Sequence, residues 1–275
     1  MKPAAFDYIR AETLAEVHAT LAAEGGQARV IAGGQTLLPM LSMRLARPDV
    51  VVDIMGLSEL GGISVERDGI RVGASMRQAE LLAWPQLAEQ QPLLAAVLPW
   101  VGHAQTRSRG TVCGSIAHAD PSAELPLALV ALGGTVELSS KRRRRKVAAA
   151  DFFTGLMTTA RADDELIEAV CFPCRQKDHG HAFREFGRRH GDFAIVACAA
   201  IVHDRGLRFA VGGVADRPVA CDYPALEGGA LDDALDMLAW ELDARDDLHA
   251  SARFRRDLVR RMGRETINEA RRCRV

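Results

Sequence analysis

Apolar residues in the first part of the chain alternate between helical spacing and short strand-like runs. The candidate N-cap Thr13 precedes a helix whose apolar residues lie three or four positions apart until Gly25-Gly26 ends it. Asp68-Gly69 between two apolar runs predicts a β-hairpin. Ser75 and Gln78 have the spacing of a capping box and predict a helix to about residue 84. Further strands are predicted at 29–32, 50–54 and 135–138, and further helices at 93–101 and 125–132.

The pattern changes beyond residues 173–180, where charged residues and glycines interrupt it. Three consecutive strands are predicted at 182–189, 194–202 and 207–214, and two helices follow at 231–242 and 251–272. Strands followed by helices are typical of a small α+β domain. We therefore predict two α+β domains, residues 1–175 and residues 176–275.

Composition excludes several classes of protein. Of the 275 residues, 48% are hydrophobic and 26% are charged, which is typical of a globular chain and not of a disordered one. The net charge of −1 does not favour a dedicated nucleic-acid binder. No apolar run approaches the ~18 residues of a membrane span, and the N-terminus lacks a secretory apolar segment. Six cysteines without an export signal indicate reduced thiols, so we expect a cytoplasmic protein without a membrane span.

Common nucleotide and catalytic motifs are absent from the sequence. It contains no Gly-x-Gly-x-x-Gly after a strand, no Gly-Lys dipeptide, no His-Glu-x-x-His and no Gly-x-Ser-x-Gly. One Cys-x-x-Cys pair, Cys171 and Cys174, has too few partners for a metal site and is read as a strand end with a turn. The basic run 141–146 lies between strand-like segments and is read as a solvated hairpin tip, although nucleic-acid binding is an alternative.

Two glycine-containing loops are the main candidates for chemistry. One is Ala-Gly-Gly-Gln-Thr-Leu-Leu-Pro (32–39), directly after a predicted strand, and the other is Thr-Arg-Ser-Arg-Gly-Thr-Val-Cys-Gly-Ser (106–115). Glycine lets the backbone approach a ligand closely, and consecutive N–H groups in such turns bind anions. Hydroxyls of Thr36, Thr111 and Ser115 would add donors. Two such loops facing each other could hold a pyrophosphate, and ordinary turns are the alternative.

These segments resemble a known family. Residues 32–41 and 111–126 are similar to the two flavin loops of the FAD-binding medium subunits of molybdenum hydroxylases, which include carbon monoxide dehydrogenase and the FAD module of xanthine dehydrogenase. Phe6-Asp7-Tyr8, 164–167 and 188–194 resemble the same family. The resemblance covers nearly the whole chain, with the motifs in order.

The resemblance implies a fold and a site. The fold would be α+β, with a two-part FAD-binding domain of the vanillyl-alcohol-oxidase/peroxidase type (1–175) before a small domain of antiparallel strands and then helices (176–275). FAD would be the cofactor, its pyrophosphate between the loops, with no catalytic side chain and no metal ligand in this chain. Glu124 would bond a flavin-side hydroxyl, and Leu166 would line the adenine region. The implied loop contacts are Ala32, Gly33, Gly34, Gln35, Thr36, Leu37, Thr111, Val112, Cys113, Gly114 and Ser115.

The resemblance also implies an oxidoreductase that works with partners. FAD would take electrons from [2Fe–2S] clusters of a small subunit, which receive them from a molybdopterin-binding large subunit. It would pass them to NAD or another electron acceptor. A stand-alone flavin oxidoreductase of the same cofactor fold is one alternative. A nucleic-acid or assembly protein without flavin is another.

Two positions depart from the family pattern. Cys113 stands where a glycine is common, and cysteine does not take a positive φ as readily. Glu185 stands where the family commonly has a lysine near the cofactor. Arg184 or Arg188 could compensate for the missing positive charge. The Glu185 side chain is expected to turn away from the FAD phosphates, to pair with one of these arginines, or to lie beside a hydroxyl of the ligand.

Overall fold

Three β-sheets and a two-stranded hairpin organise residues 2–274, the part of the chain that the computed structural model describes. The strands are β1 (Asp7–Arg10), β2 (Ala28–Ile31), β3 (Val50–Asp53), β4 (Ile63–Glu66), β5 (Gly69–Gly73), β6 (Thr135–Ser139), β7 (Arg144–Ala148), β8 (Phe153–Gly155), β9 (Thr158–Thr159), β10 (Leu166–Phe172), β11 (Gly180–Phe186), β12 (Val196–His203), β13 (Gly206–Gly212) and β14 (Val219–Tyr223). The α-helices are α1 (Leu14–Glu24), α2 (Leu37–Ser42), α3 (Gln78–Leu82), α4 (Leu87–Gln90), α5 (Pro92–Val97), α6 (Ala104–Arg107), α7 (Val112–His118), α8 (Glu124–Leu132), α9 (Ala149–Phe152), α10 (Gly228–Glu241) and α11 (Ala252–Arg272). Short 3₁₀ turns lie at Gly25–Gln27, Ser58–Leu60 and Leu98–Trp100.

The N-terminal sheet is parallel, with the order β1-β3-β2. Thr13 caps α1 as predicted, its hydroxyl accepting a hydrogen bond from the Glu16 N–H at 3.2 Å. The helix buries Val17 and Leu21, which follows from their helical spacing. Strand β2 ends at Ile31, so residues 32–36 leave the carboxyl edge of this sheet.

The second sheet has five antiparallel strands in the order β4-β5-β10-β6-β7. The hairpin predicted around Asp68-Gly69 is confirmed as β4–β5. The central strand β10 is buried along its whole length, as a strand covered on both faces must be. The basic run forms a hairpin tip, as predicted, but Arg144, Arg145 and Lys146 already belong to β7.

The helix predicted from Ser75 has a different start. Arg77 is the N-cap of α3, and the Glu80 carboxylate accepts a hydrogen bond from the Arg77 N–H at 2.9 Å. The capping residue of this helix is therefore two positions later than Ser75. Gln78, the proposed second member of the box, is instead the first residue of the helix and is buried.

The C-terminal sheet is an antiparallel meander, β11-β12-β13-β14. Its first three strands confirm the predicted order, although the first ends at Phe186 and not at Arg189. The sequence analysis missed β14, because this edge strand has no buried residue and so lacks a continuous apolar signal. Both predicted C-terminal helices are present, and the Ser251 hydroxyl caps α11 by accepting from the Phe254 N–H at 3.2 Å.

The two parts of the chain share one apolar core. Phe183, Ala197 and Ala199 of the C-terminal sheet pack in the same cluster as α5 and α8. The Phe183 ring meets the Trp100 ring edge-on, with centroids 6.3 Å apart. The Gly213 N–H donates to the Pro121 carbonyl at 2.8 Å. The other face of this sheet forms a second core with α10 and α11.

Within residues 2–274, none of the helices has both the length and the apolar composition that crossing a membrane requires.

Candidate functional site: two glycine loops in contact

The two glycine loops lie against each other. We call residues 32–37 the first loop and residues 106–115 the second loop. A Cβ on Gly33 would overlap the Arg109 carbonyl oxygen and would lie 2.7 Å from the Gly110 Cα. Only a glycine at position 33 lets the two backbones come this close. The structure therefore brings together Gly33 and Arg109, which are 76 positions apart in the chain.

The first loop offers free backbone donors. The N–H groups of residues 33–36 donate to no acceptor among residues 2–274. Gly34 has a φ of 69°, in the left-handed region that favours glycine. The residues of this loop are partly buried or exposed. Successive N–H groups in such a turn form a concave site for an anion.

The second loop is held by α3 and by its own threonine. The Gly110 carbonyl accepts from the Gln78 N–H at 2.8 Å, and the Val112 N–H donates to the Met76 carbonyl at 3.0 Å. The Thr111 hydroxyl caps α7 by accepting from the Gly114 N–H at 3.0 Å. Thr111 is 2% exposed, so this side chain supports the loop from inside.

The sequence analysis missed Gln78 as a support of the site. Besides its N–H, its side-chain Nε2 donates to the Thr111 carbonyl at 3.4 Å. Gln78 is 5% exposed, and its Oε1 has no hydrogen-bond partner. A glutamine among apolar residues was visible in the sequence, but its partner is 33 residues away.

Cys113 fits its position without strain. It lies inside α7 and is not among the residues with positive φ, so the glycine common in the family is not required by the backbone here. Its thiol is buried and donates to the Val72 carbonyl at 3.6 Å. Burial raises the pKa of this thiol to about 12, so it stays neutral. The side chains of Val112 and Cys113 both point into the core.

Gly114 and Ser115 form the accessible part of the second loop. Gly114 is exposed and Ser115 is partly buried. The Ser115 hydroxyl has no partner among the described residues, so it is a free donor. The two loops together offer neutral N–H and O–H donors, which are the groups that bind a diphosphate. The chemistry of these donors is therefore compatible with the pyrophosphate of FAD.

Glu124 and Leu166 lie on other elements. Glu124 is the first residue of α8, lies nine positions after the end of the second loop, and is 5% exposed. Burial raises the pKa of this carboxyl to about 7, with a smaller contribution from Asp120. Leu166 begins β10, is 2% exposed and takes part in none of the hydrogen bonds of the two loops.

Neither arginine expected to compensate for Glu185 pairs with it. The Arg184 guanidinium contacts Glu265 at 3.1 Å and Glu269 at 2.9 Å. The Arg188 guanidinium lies 3.3 Å from His249 Nδ1. An ion pair between Glu185 and either arginine is therefore not formed, because alternation along β11 turns Arg184 to the opposite face of the sheet and Arg188 lies beyond the end of the strand.

Two family models match the chain. The model described as "FAD binding domain in molybdopterin dehydrogenase" matches residues 4–175, and "CO dehydrogenase flavoprotein C-terminal domain" matches residues 181–270. The chain belongs to the FAD-binding flavoproteins of the molybdopterin dehydrogenases. As a member of this family, it is an FAD-binding oxidoreductase subunit.

Curated relatives and solved structures agree with this membership. The nicotine 6-hydroxylase medium subunit of Paenarthrobacter nicotinovorans is 38% identical over 88% of this chain and 89% of its own. The carbon monoxide dehydrogenase medium chain of Afipia carboxidovorans is 30% identical over 98% of both. A structure of carbon monoxide dehydrogenase from Hydrogenophaga pseudoflava superposes with a TM-score of 0.95, at 28% identity and complete coverage of both chains. The fold class that the resemblance implied is confirmed.

Proposed function

We propose that this flavoprotein transfers electrons within a heteromeric molybdenum hydroxylase through FAD held between its two glycine loops. The observation that supports this most directly is the contact of the loops at Gly33, which places the free N–H groups of residues 33–36 beside the second loop. The relatives support the same assignment, since they are named as medium subunits and chains. FAD supplies the redox chemistry when bound, and the protein binds and orients it.

We assign a binding role to each loop residue. Ala32, Gly33, Gly34, Gln35, Thr36 and Leu37 form the first half of the pyrophosphate site, with the four free N–H groups as donors. Gly114 and Ser115 form the second half of the pyrophosphate site. Thr111 fixes their position, because its hydroxyl caps α7. Val112 and Cys113 contribute backbone atoms, since their side chains are buried. Glu124 contacts a flavin-side hydroxyl, and Leu166 lines the adenine region.

The partners follow from the family. We assign this chain a molybdopterin-binding large subunit, where the organic substrate is oxidised, and a small subunit with [2Fe–2S] clusters. Electrons pass from these clusters to FAD and then to NAD or another acceptor. In support, one relative is named as a subunit of a dehydrogenase complex and another as a medium chain of carbon monoxide dehydrogenase. The relatives are named after chemically different compounds, such as nicotine, caffeine and glyceraldehyde, which agrees with a substrate site outside this type of chain.

We further assign residues 1–175 to the FAD-binding domain and residues 176–275 to the C-terminal domain. Residues 173–179, between β10 and β11, form neither helix nor strand, which supports a boundary there. We place the protein in the cytoplasm, because its six cysteines are free and none forms a disulfide.

Reduction experiments test whether the organic substrate is oxidised on a partner subunit and not on this chain. The isolated chain, reconstituted with FAD, is mixed anaerobically with nicotine, caffeine, xanthine, glyceraldehyde or carbon monoxide, the compounds after which relatives are named. We expect no flavin bleaching within minutes, whereas dithionite bleaches it. The complex purified through a tag on this chain should contain two further polypeptides and should show substrate-dependent flavin reduction. Rapid bleaching of the isolated chain by one of these compounds would favour the stand-alone oxidoreductase.

A further inference from the structure

Gly33, Gly110 and Gln78 form a continuous series of close contacts through the two loops. A Cβ on Gly33 would lie 2.7 Å from the Gly110 Cα, and a Cβ on Gly110 would lie 3.0 Å from the Gln78 Oε1. Glycine at both positions therefore lets the first loop rest on the second loop, and the second loop rest on the Gln78 amide. The spacing between the two halves of the proposed FAD site thus depends on where the Gln78 side chain lies.

One carbonyl joins the Gln78 side chain to the start of α7. The Thr111 carbonyl accepts from the Gln78 Nε2 at 3.4 Å and from the Ser115 N–H at 3.2 Å. Ser115 carries a hydroxyl that the proposed function assigns to the pyrophosphate. Because Gln78 is itself 5% exposed, its amide acts on the cofactor through these neighbours and not by contact.

Backbone pairing holds Gln78 beside the second loop independently of its side chain. Arg77 and Thr111 form an antiparallel bridge. The Gln78 N–H donates to the Gly110 carbonyl at 2.8 Å. A substitution at position 78 leaves these backbone groups in place. It therefore tests the amide and not the attachment of the loop.

Stability alone does not account for a glutamine at position 78. Its Oε1 is buried and has no hydrogen-bond partner within residues 2–274, and the bond made by its Nε2 is long. A buried polar atom without a partner lowers stability, whereas an apolar side chain of similar size in its place is close to neutral. This balance favours a role of the amide in the cofactor site over a role in folding.

We propose that Gln78 is a positioning residue, whose buried amide holds Gly110 and Thr111 where the second loop meets the FAD pyrophosphate together with the first loop. The inference rests on the proposed function, which places the pyrophosphate between the loops. Methionine is similar to glutamine in length but has neither the amide donor nor the acceptor. Gln78→Met should therefore leave the loop attached but displaced.

Gln78→Met has a matched control in Gln91→Met. Gln91 is also buried, but its Nε2 donates to the Pro173 carbonyl at 2.6 Å and its Oε1 accepts from the Leu93 N–H at 3.2 Å, outside the two loops. The dissociation constant of FAD for the full-length chain is measured by flavin fluorescence. We expect it to rise about tenfold in Gln78→Met and less than about twofold in Gln91→Met. Urea denaturation should give the opposite order, with the larger loss of stability in Gln91→Met.

Gln78→Glu adds a readout that depends on pH. While the new carboxyl is neutral, it can donate to the Thr111 carbonyl; once ionised, it repels that carbonyl and the FAD phosphates. The FAD dissociation constant of this variant, divided by that of the wild type, should therefore rise about tenfold between about pH 5.5 and about pH 8.5. The same ratio for Gln91→Glu should stay constant to within about twofold.

The ³¹P NMR spectrum of bound FAD reports on the pyrophosphate itself. At saturating FAD, the two phosphorus resonances should shift in Gln78→Met relative to the wild type and should be unchanged in Gln91→Met. A variant that only lowered stability would leave these resonances in place, because the spectrum is recorded on the folded, loaded protein.

Three results would overturn the role of Gln78. The first is an equal change of FAD affinity in Gln78→Met and Gln91→Met. The second is wild-type affinity and unshifted phosphorus resonances in Gln78→Met. The third is failure of Gln78→Met to fold, since the amide would then be needed for stability. Absence of FAD binding by the wild-type full-length chain would instead refute the proposed function.

Discussion

Gly33 lies directly against the carbonyl oxygen of Arg109, with no room for a side chain between the two backbones. From the sequence, the glycines of the first loop were expected to leave room for a ligand phosphate. The structure shows that Gly33 has a different neighbour, the backbone of the second loop. This glycine therefore sets the distance between the two halves of the proposed cofactor site.

Gly33→Ala should separate the two loops. The Cβ would meet backbone atoms of Arg109 and Gly110, which cannot rotate away as a flexible side chain could. We expect FAD affinity to fall at least 100-fold and the free energy of unfolding to fall by about 1–3 kcal/mol. Gly229→Ala is the control, because a Cβ there meets open space, and it should leave FAD affinity unchanged and should not lower the free energy of unfolding. Normal FAD affinity in Gly33→Ala would show that the loops need not touch.

Thr111→Ala should weaken both stability and FAD binding. Loss of the hydroxyl removes the cap on the Gly114 N–H, at a cost of about 1 kcal/mol in urea denaturation. Thr111→Ser keeps the hydroxyl oxygen and should therefore retain most of the stability and of the FAD affinity. Thr13→Ala removes the equivalent cap of α1 and should cost a similar free energy without changing FAD affinity. Equal FAD affinities in the two alanine variants would contradict a role for Thr111 in the cofactor site.

Glu165→Gln should be strongly destabilising. Its buried carboxylate accepts two hydrogen bonds at 2.7 Å from Arg145 and lies 3.2 Å from Arg143. We expect a loss of about 2–3 kcal/mol at pH 7 by urea denaturation. Asp68→Asn, which removes the exposed 3.7 Å contact with Lys146, should cost less than about 0.5 kcal/mol. Similar losses in both variants would contradict the importance of burial.

The ion pair between Glu165 and Arg145 makes the free energy of unfolding depend on pH. The Arg145 hydrogen bonds hold the pKa of Glu165 below its ordinary value of 4.5. Its contribution to stability is therefore present above pH 4.5 and is lost as pH falls further, through the folded-state pKa. The difference in unfolding free energy between wild type and Glu165→Gln should shrink below about pH 4. A difference that stays constant from pH 7 to pH 3 would contradict this assignment.

The isolated chain should contain no stoichiometric metal. No group of three or more potential ligands that could hold a metal lies within residues 2–274, and Cys171 is buried in β10. Burial raises the pKa of the Cys171 thiol to about 11, which disfavours the thiolate that metals need. Elemental analysis should give well below one iron, zinc or molybdenum per chain. A value near one for any of these would identify a site that the structure does not indicate.

The local structure and the candidate contact residues could be predicted from the sequence. Thr13 followed by apolar residues at helical spacing determined where α1 begins, because a cap and its helix involve neighbouring residues. Asp68-Gly69 determined the β4–β5 hairpin for the same reason. The glycines and hydroxyls of both loops marked candidate phosphate contacts, and the family resemblance supplied the cofactor and the domain order.

Only the tertiary structure decided which of these segments meet. Gly33 meets Arg109 and Gln78 supports Thr111, although each pair is far apart in sequence. Sequence periodicity reports which face of an element is apolar, but it carries no information about which distant element covers that face. Burial raises the pKa of Glu185 to about 8, and this burial likewise depends on which elements pack together in the fold.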